Sequence, residues 1–389
     1  MRRRPIPITA HAVVCGLGAS TEACAAAQRE GRDGLRPCPV PLPYPTMSGV
    51  VPGELPPSSA PYRSRHLELS LLAFEELRPA LERARDRWGA ERIALIVATS
   101  TGGIRATEEA YFAWRESGQL PTSYDFDEEH PFCSFAEHLC GIADLRGPRY
   151  VVSTACSSSG KVFAAARRLM RLGMADAVLV GGVDSLCLTT LRGFHGLGVL
   201  SAEPCRPFGA DRPGMNIGEG AAFQLLEREA LEGCVGELLG VGESSDAFHM
   251  SAPEPGGRGA LAAMRGALAD AACAPQAVDY ISAHGTGTAA NDGAEAKAIE
   301  ALFGRDTPVF APKSYTGHTL GAAGAVEASL ALLSIRDGLV PASLRVEDVD
   351  PEVRIRLQRQ QERRPIQRVL SNSFAFGGSN VAVLLGGPR

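Results

Sequence analysis

Four segments of this chain carry residues whose types and spacing could do chemistry. In VVSTACSSSG (residues 151–160), a short apolar strand ends at Thr154 and small residues lead into an amphipathic helix. That arrangement puts Cys156 near a helix N-terminus, where exposed amides and the helix dipole favour a thiolate and can hold a developing oxyanion. A free cysteine among small neighbours is also a common structural core residue, so on this segment alone both readings stand. In YISAHGTGTAANDGAEA (280–296), a buried strand delivers His284 to its C-terminal end, with Thr286 and Thr288 offering hydroxyls to a polar ligand. A histidine at such a place is equally at home as a satisfied structural residue. In APKSYTGHTLGAAGAVEAS (311–329), Lys313 and His318 lie in a loop that opens a Gly/Ala-rich helix carrying Glu327. In SNSFAFGGSN (371–380), Phe374 and Phe376 flank a bend that Gly377 and Gly378 permit.

Metal binding is the rival use of two histidines and a cysteine, but the chain has no HExxH and no HxxxH to support it. SSSGK lacks the earlier glycine of a phosphate loop, and Gly16-Leu17-Gly18 is too short for a dinucleotide site.

The elements that must position these residues follow a strand–helix alternation. Apolar runs predict strands over 12–15, 93–98, 150–154, 177–180 and 278–282. Helical spacing predicts helices over 66–87, 161–172, 260–272, 294–303 and 320–335, and a glycine-broken strand pair closes the chain over 371–385. Short, fully apolar strands between helices imply α/β sheets covered on both faces. The proline-rich stretch 36–61 reads as an irregular excursion packed on the surface. A length of 389 residues exceeds one ordinary core and suggests two fused units.

Composition narrows the function classes. A net charge of −5 argues against a dedicated nucleic-acid binder, and no apolar run approaches a membrane span. The N-terminal run is broken by Pro5, Pro7 and His11, which favours a buried strand over a signal peptide. Ten scattered cysteines without a CxxC indicate neither a zinc ribbon nor a disulfide scaffold, and a reducing cytoplasm is the expected location. Lys and Arg together number 39, yet only Lys161, Lys297 and Lys313 are lysines. Where lysine survives such a bias, the compact ammonium is needed and the wide guanidinium fork does not replace it.

Together the four segments resemble the β-ketoacyl-acyl-carrier-protein synthases, on the elongating side of that family. They stand in the family's order and spacing, and the likeness runs from VVCGLGAS near the start to NVAVLL at the end, through LRGPRY, CRPFGADRPGMNIGEGAA and SSDAFHMSAP. The resemblance implies a thiolase-like α/β fold in which two pseudo-equivalent halves, 1–233 with the nucleophile and 234–389 with the histidines, are fused in five layers. It implies Cys156 as nucleophile, His284 and His318 as the decarboxylation pair, and Lys313 with Glu327 as the groups that tune them. It further implies Phe374 as gate and oxyanion-hole residue, and Thr286 and Thr288 as hydrogen-bond partners of a pantetheine arm. No metal or resident cofactor is implied, since phosphopantetheine arrives on an acyl carrier protein. Arg63 and Arg65 are the expected docking residues for that carrier. The expected assembly is a homodimer, or a heterodimer with a chain-length-factor-like paralogue.

The implied reaction is a decarboxylative Claisen condensation with malonyl-acyl carrier protein in fatty-acid, polyketide or aryl-polyene-type elongation. A Cys-His-His set differs from the Cys-His-Asn set of acetyl-coenzyme A-dependent initiating synthases. Thiolases carry a second reactive cysteine near the C-terminus, and no cysteine follows Cys273 here. The stretch 111–139 is unlike the housekeeping fatty-acid enzymes, and ACSSS with GGVDSLCLTT looks more like synthases of specialised pathways. Two other classes compete: a scaffolding chain-length partner, which would have lost the nucleophile, and a cysteine hydrolase, which would turn the same thiolate on water.

The lysine bias generates a first prediction. Lys313→Arg should lower condensation at least about tenfold, because the wider guanidinium disturbs His318. Steady-state rates of a folded variant near those of the parent would remove the argument.

Overall fold

The structure is a computed structural model that describes residues 4–55, 64–229 and 233–388. Ten strands carry the frame. The first five are Ile6–Cys15 (β1), Ile93–Ala98 (β2), Arg149–Val152 (β3), Ala177–Asp184 (β4) and Gly220–Glu227 (β5). The second five are Gly236–Ser245 (β6), Tyr280–Ser282 (β7), Pro308–Phe310 (β8), Arg368–Ala375 (β9) and Ser379–Gly386 (β10).

The two sets repeat one topology. Reading inward from the outer edge, the orders are β3-β2-β4-β5-β1 and β8-β7-β9-β10-β6. In each set the first three strands run parallel, and the fourth and fifth are antiparallel to their neighbours. The sets join where Ile6–Ile8 of β1 pairs with Gly236–Leu238 of β6. A short strand, Arg356–Leu357, extends the second set beyond β8.

Five helices complete the layers: Arg65–Trp88 (α1), Ser158–Arg171 (α2), Arg258–Ala271 (α3), Ala289–Phe303 (α4) and Ala323–Asp337 (α5). The α1 helix covers β1, β4 and β5, and α3, backed by α4, covers β6 and β10. Between the two strand sets lie α2 and α5, which touch each other and strands of both sets. That is why α5 is buried along almost its whole length and carries Gly and Ala where an amphipathic helix would alternate. Among the described residues, no helix is long and apolar enough to cross a membrane.

The predicted elements appear with shifted ends. The N-terminal strand runs from Ile6, six residues earlier than its apolar core indicates, and its burial pattern is apolar on both faces. The helix expected from 320 begins as a single 3₁₀ turn, Leu320–Ala322, and becomes α-helical at Ala323. The proline-rich stretch holds two short strands, Leu35–Pro37 and Met47–Gly49, of which the second pairs with Ile217–Gly218. Strands β5, β6 and β8 were not expected. The glycines of β6 hide it from propensity, and the structure explains them: a Cβ at Gly242 would lie 2.0 Å from the Ala263 carbonyl oxygen of α3.

Candidate active site

The parallel strands β3, β7 and β8 and the antiparallel hairpin β9–β10 deliver the candidate residues to one place. After β3 the chain turns through Ala155, held at φ +51°, and presents Cys156 two residues before α2 begins at Ser158. A non-glycine residue at positive φ is strained. Here Ser158 offsets the strain, since its hydroxyl donates to the Ala155 carbonyl and accepts from the Thr154 N–H. Cys156, His284, His318, Thr286, Thr288, Phe374 and Phe376 all line one cavity of about 300 Å³.

The histidine rings stand edge to face, with centroids 5.2 Å apart. Their Nδ1 atoms are both occupied: the Leu320 N–H donates to His318 Nδ1 at 3.3 Å, and Lys313 Nζ lies 3.2 Å from His284 Nδ1. With Nδ1 accepting, the neutral tautomer carries its proton on Nε2. Burial, reinforced by Lys313, holds both imidazoles well below their ordinary pKa, and His318 adds to the effect on His284. At neutral pH the site therefore has two uncharged imidazoles, each with an Nε2–H to donate.

Lys313 and Glu327 sit behind the cavity. Lys313 Nζ donates to Glu327 Oε1 at 2.6 Å with both side chains no more than 2 % exposed. Burial pushes the Glu327 carboxyl up to about 7, against the pull of Lys313. The lysine thus rests on His284, not on His318 as its spacing in the sequence indicated.

The resting thiol differs from expectation. Burial pushes Cys156 up to about 12, and this outweighs the ammonium of Lys313 and the backbone N–H groups of Cys156 and Phe376, which pull it down. Asp184 adds a smaller upward push. The helix N-terminus stabilises negative charge, but for a thiol this buried, desolvation of the thiolate costs more.

Two other expectations are corrected. The amide at the thiol belongs to Phe376 and not to Phe374. Phe374, the last residue but one of β9, has its ring buried 6.0 Å from the His284 ring, as a wall of the site rather than a gate. Phe376 is 37 % exposed and packs 5.8 Å from Phe194 at the cavity, beside Gly377 and Gly378 at φ +79° and +73°. Arg65 is not available as a docking residue, because its guanidinium is committed to the fully buried carboxylate of Glu219. Arg63 lies outside the described residues.

Sequence reasoning missed the carboxylates that shape the histidine loop. Glu295 accepts from the backbone N–H groups of His284 and Gly285, each at 2.8 Å, and from Asn372 Nδ2 at 3.1 Å. Asp292 accepts from Thr286, Gly287 and Phe208 N–H groups at 3.0, 3.2 and 2.8 Å. The signal was present: two acids three apart share one face of a helix that starts directly after His-Gly-Thr-Gly-Thr. On the other side, Asp184 gathers Thr99, Ser100, Thr101 and the Gly321 N–H, tying the first half to the turn after His318. Thr286 and Thr288 share a hydrogen bond at 2.9 Å and face the cavity.

Chemically, the arrangement offers a thiol with backbone amides beside it and two neutral imidazoles on the wall of the same cavity. Comparisons with known proteins show the family of the chain. Residues 67–231 match the model for the beta-ketoacyl synthase N-terminal domain, and 235–347 match that for the C-terminal domain. The chain is 32% identical to "Nodulation protein E" of Rhizobium meliloti (strain 1021), over 98% of each chain. It is 37% identical to "3-oxoacyl-[acyl-carrier-protein] synthase 2" of the same strain, over 75% of this chain and 73% of that one. Among solved structures, the "Ketosynthase (ApeO) in Complex with its Chain Length Factor (ApeC) from Xenorhabdus doucetiae" matches with TM-score 0.93 and 36% identity, over 99% of this chain and 98% of that one.

The raised thiol generates a second prediction. Alkylation of Cys156 by iodoacetamide should accelerate about tenfold per pH unit from pH 7 to 9, because the thiolate fraction rises tenfold per unit below the pKa. A rate that levels off below pH 8 would show a thiol lowered by the helix end, with desolvation overcome.

Proposed function

The chain belongs to the β-ketoacyl synthase family, and we propose that Cys156 carries its acyl group while His284 and His318 stabilise the enolate of the extender. The chain catalyses β-ketoacyl condensation in fatty-acid or polyketide elongation. The observation that carries the division of roles is the pair of Nδ1 acceptors, which leaves two neutral Nε2–H donors beside one thiol.

Acyl transfer exchanges one thiol for another. The Cys156 sulfur attacks the thioester carbonyl, the C–S bond to the pantetheine breaks, and the proton of the Cys156 thiol ends on the departing pantetheine sulfur. The amides of Cys156 and Phe376 hold the tetrahedral oxyanion, a contribution worth about 10²–10³ in rate. Malonyl thioester then loses carbon dioxide, and the electron pair left behind delocalises onto the thioester oxygen, which accepts from both Nε2–H groups. The enolate carbon attacks the acyl-Cys156 carbonyl and expels the thiolate. Neutral histidines suit this step, since a donor that keeps its proton stabilises an enolate without quenching it. Lys313 sets the His284 tautomer through Nδ1, and Glu327 balances the buried ammonium. Thr286 and Thr288 take the pantetheine arm, and Phe376 swings on Gly377 and Gly378 to admit the acyl chain. The arm arrives on an acyl carrier protein, and the chain needs no resident metal or cofactor.

The cleavage into repeats falls near residues 233 and 234, with the thiol on the first unit and both histidines on the second. A second subunit of the same fold covers the open edge of β3, which among the described residues pairs only with β2 and leaves Tyr150 40 % exposed. ApeO, which resembles this chain at 36% identity, is paired with its chain length factor, and this supports a paralogue as partner where one is made and a second copy otherwise. Light scattering should give a purified mass of two copies, and a stable monomer that binds no paralogue would remove the assembly.

The half-reactions should separate by mutation. Cys156→Ala should abolish covalent loading yet retain malonyl decarboxylation, because both donors remain. His284→Ala should load normally and lose condensation by about 10²–10⁴. The measurement pairs label transfer to the protein with carbon dioxide release from malonyl-carrier protein. Loading blocked as completely in His284→Ala as in Cys156→Ala would make His284 the obligatory base of a Cys-His dyad, the arrangement of a hydrolase.

A further inference from the structure

Lys313 occupies the Nδ1 of His284, and a different device occupies that of His318. The His318 Nδ1 accepts from the Leu320 N–H at 3.3 Å. Rotation about the Leu320 N–Cα bond sets that N–H relative to the helix that follows, and it stands at φ +54°. A leucine is strained at such a value and relaxes from it unless its surroundings hold it there.

The next residue supplies the hold. The Gly321 N–H donates to Asp184 Oδ2 at 2.5 Å and to the Ser100 hydroxyl at 3.2 Å. The approach is so close that a Cβ on Gly321 would lie 2.7 Å from the same carboxylate oxygen. Asp184 is in turn fixed from the first half of the chain. It is the last residue of β4, fully buried, and accepts from the Ser100 N–H on both oxygens, from the Thr101 N–H at 2.8 Å, and from the hydroxyls of Thr99, Ser100 and Thr101. Before the turn the backbone of His318 is pinned as well: its N–H donates to the Asn216 carbonyl at 2.7 Å, and its carbonyl accepts from the Gly218 N–H at 2.9 Å. The strained Leu320 is thus confined between two anchors.

We propose that Asp184 is a positioning residue for His318, acting through Gly321 and Leu320 to keep the His318 proton on Nε2. The inference rests on the role proposed above for that Nε2–H at the enolate oxygen. An acid is needed here and an amide does not replace it. Backbone N–H groups reach both oxygens, Thr101 on Oδ1 and Gly321 on Oδ2, and only a carboxylate accepts on both. The rival anchor is the Leu320 side chain, which is buried in an apolar cluster with Leu186, Leu191, Met215 and Ile217. If that packing held the turn by itself, the charge and the second acceptor of Asp184 would be dispensable.

The test is Asp184→Asn in the full chain, read in two ways. The first is the side-chain nitrogen spectrum of protein labelled with ¹⁵N-histidine. The chain has eight histidines, and the resonances lost in His318→Gln identify the one in question. The parent should show His318 with an unprotonated Nδ1, and the variant a mixture of tautomers. The second reading pairs carbon dioxide release from malonyl-carrier protein with covalent loading of Cys156. Decarboxylation should fall about tenfold or more while loading is retained. A folded variant with the parent's His318 tautomer overturns the proposal, and so does an equal loss of loading and decarboxylation, which is the mark of a merely structural acid. A shifted tautomer with undiminished decarboxylation upholds the positioning and removes the enolate role of His318 instead. Should Asp184→Asn fail to fold, Ser100→Ala decides by the same readings. It deletes one hydroxyl from the clamp on Oδ2 and Gly321 at a half-buried position, and a parent-like tautomer and decarboxylation rate in that variant overturn the proposal.

Discussion

Everything in the catalytic cavity depends on one ammonium kept out of water. Lys313 is 1 % exposed, and an isolated charge in such a place is prohibitive. Glu327 supplies the counter-charge and His284 Nδ1 the second acceptor, so the ion pair fixes the imidazole that rests on it. Removing one partner of a buried pair leaves an uncompensated charge, at a cost of about 3–5 kcal/mol. That is reason enough for the surrounding backbone to be tied down as tightly as it is. Glu295 and Asp292 take up the N–H groups of the His284 loop, and Asp184 takes up those on the opposite wall. The loops of the site are tied down by these carboxylates, and rigid donors stabilise developing charge without reorganising.

The same desolvation accounts for the resting state of the nucleophile. A helix N-terminus and a nearby ammonium both favour thiolate, and the sequence shows the first of these. It does not show how completely the thiol is enclosed. Enclosure decides the balance, and Cys156 rests as a neutral thiol beside neutral imidazoles. Thioester exchange tolerates this, because it moves a proton from one sulfur to another and leaves the net charge of the site unchanged. A hydrolase would have to activate a water beside the thiol, and the two imidazoles that line the cavity with Cys156 have their Nδ1 acceptors already engaged by Lys313 and the Leu320 N–H.

What could be read in advance divides along physical lines. Cys156 and His284 were legible because each follows a short apolar run, and strand ends are where a parallel sheet exposes side chains, while His318 was legible from its place before a Gly/Ala-rich helix. The α5 helix was legible by its Gly/Ala composition, which only a central layer demands. Phe374 and Phe376 were not separable, because two phenylalanines one residue apart differ only in which of them lies in the strand. The structure ends β9 at Ala375, which buries the first ring and frees the second. Arg65 looked like a surface charge because the acid that claims it, Glu219, is 154 residues away. Strand β6 escaped because its glycines answer to α3, a long-range packing demand that local propensity cannot register.

The repeated topology explains how one cavity came to hold two kinds of chemistry. In the strand orders, β3 corresponds to β8, β2 to β7 and β4 to β9. Cys156 follows β3 and precedes α2, while Lys313 and His318 follow β8 and precede α5, so thiol and histidine occupy equivalent loops of the two halves. His284 follows β7, whose counterpart β2 is followed by the Thr99–Thr101 hydroxyls that bind Asp184. Each half thus offers the same set of loops at its strand ends, and the helices α2 and α5, packed against each other, bring the two sets face to face. One set presents the thiol and the other the two imidazole N–H donors, which under the proposed roles divides acyl carriage from hydrogen bonding to an enolate oxygen. A single half would present either a thiol without donors or donors without a thiol, so condensation is a property of the join.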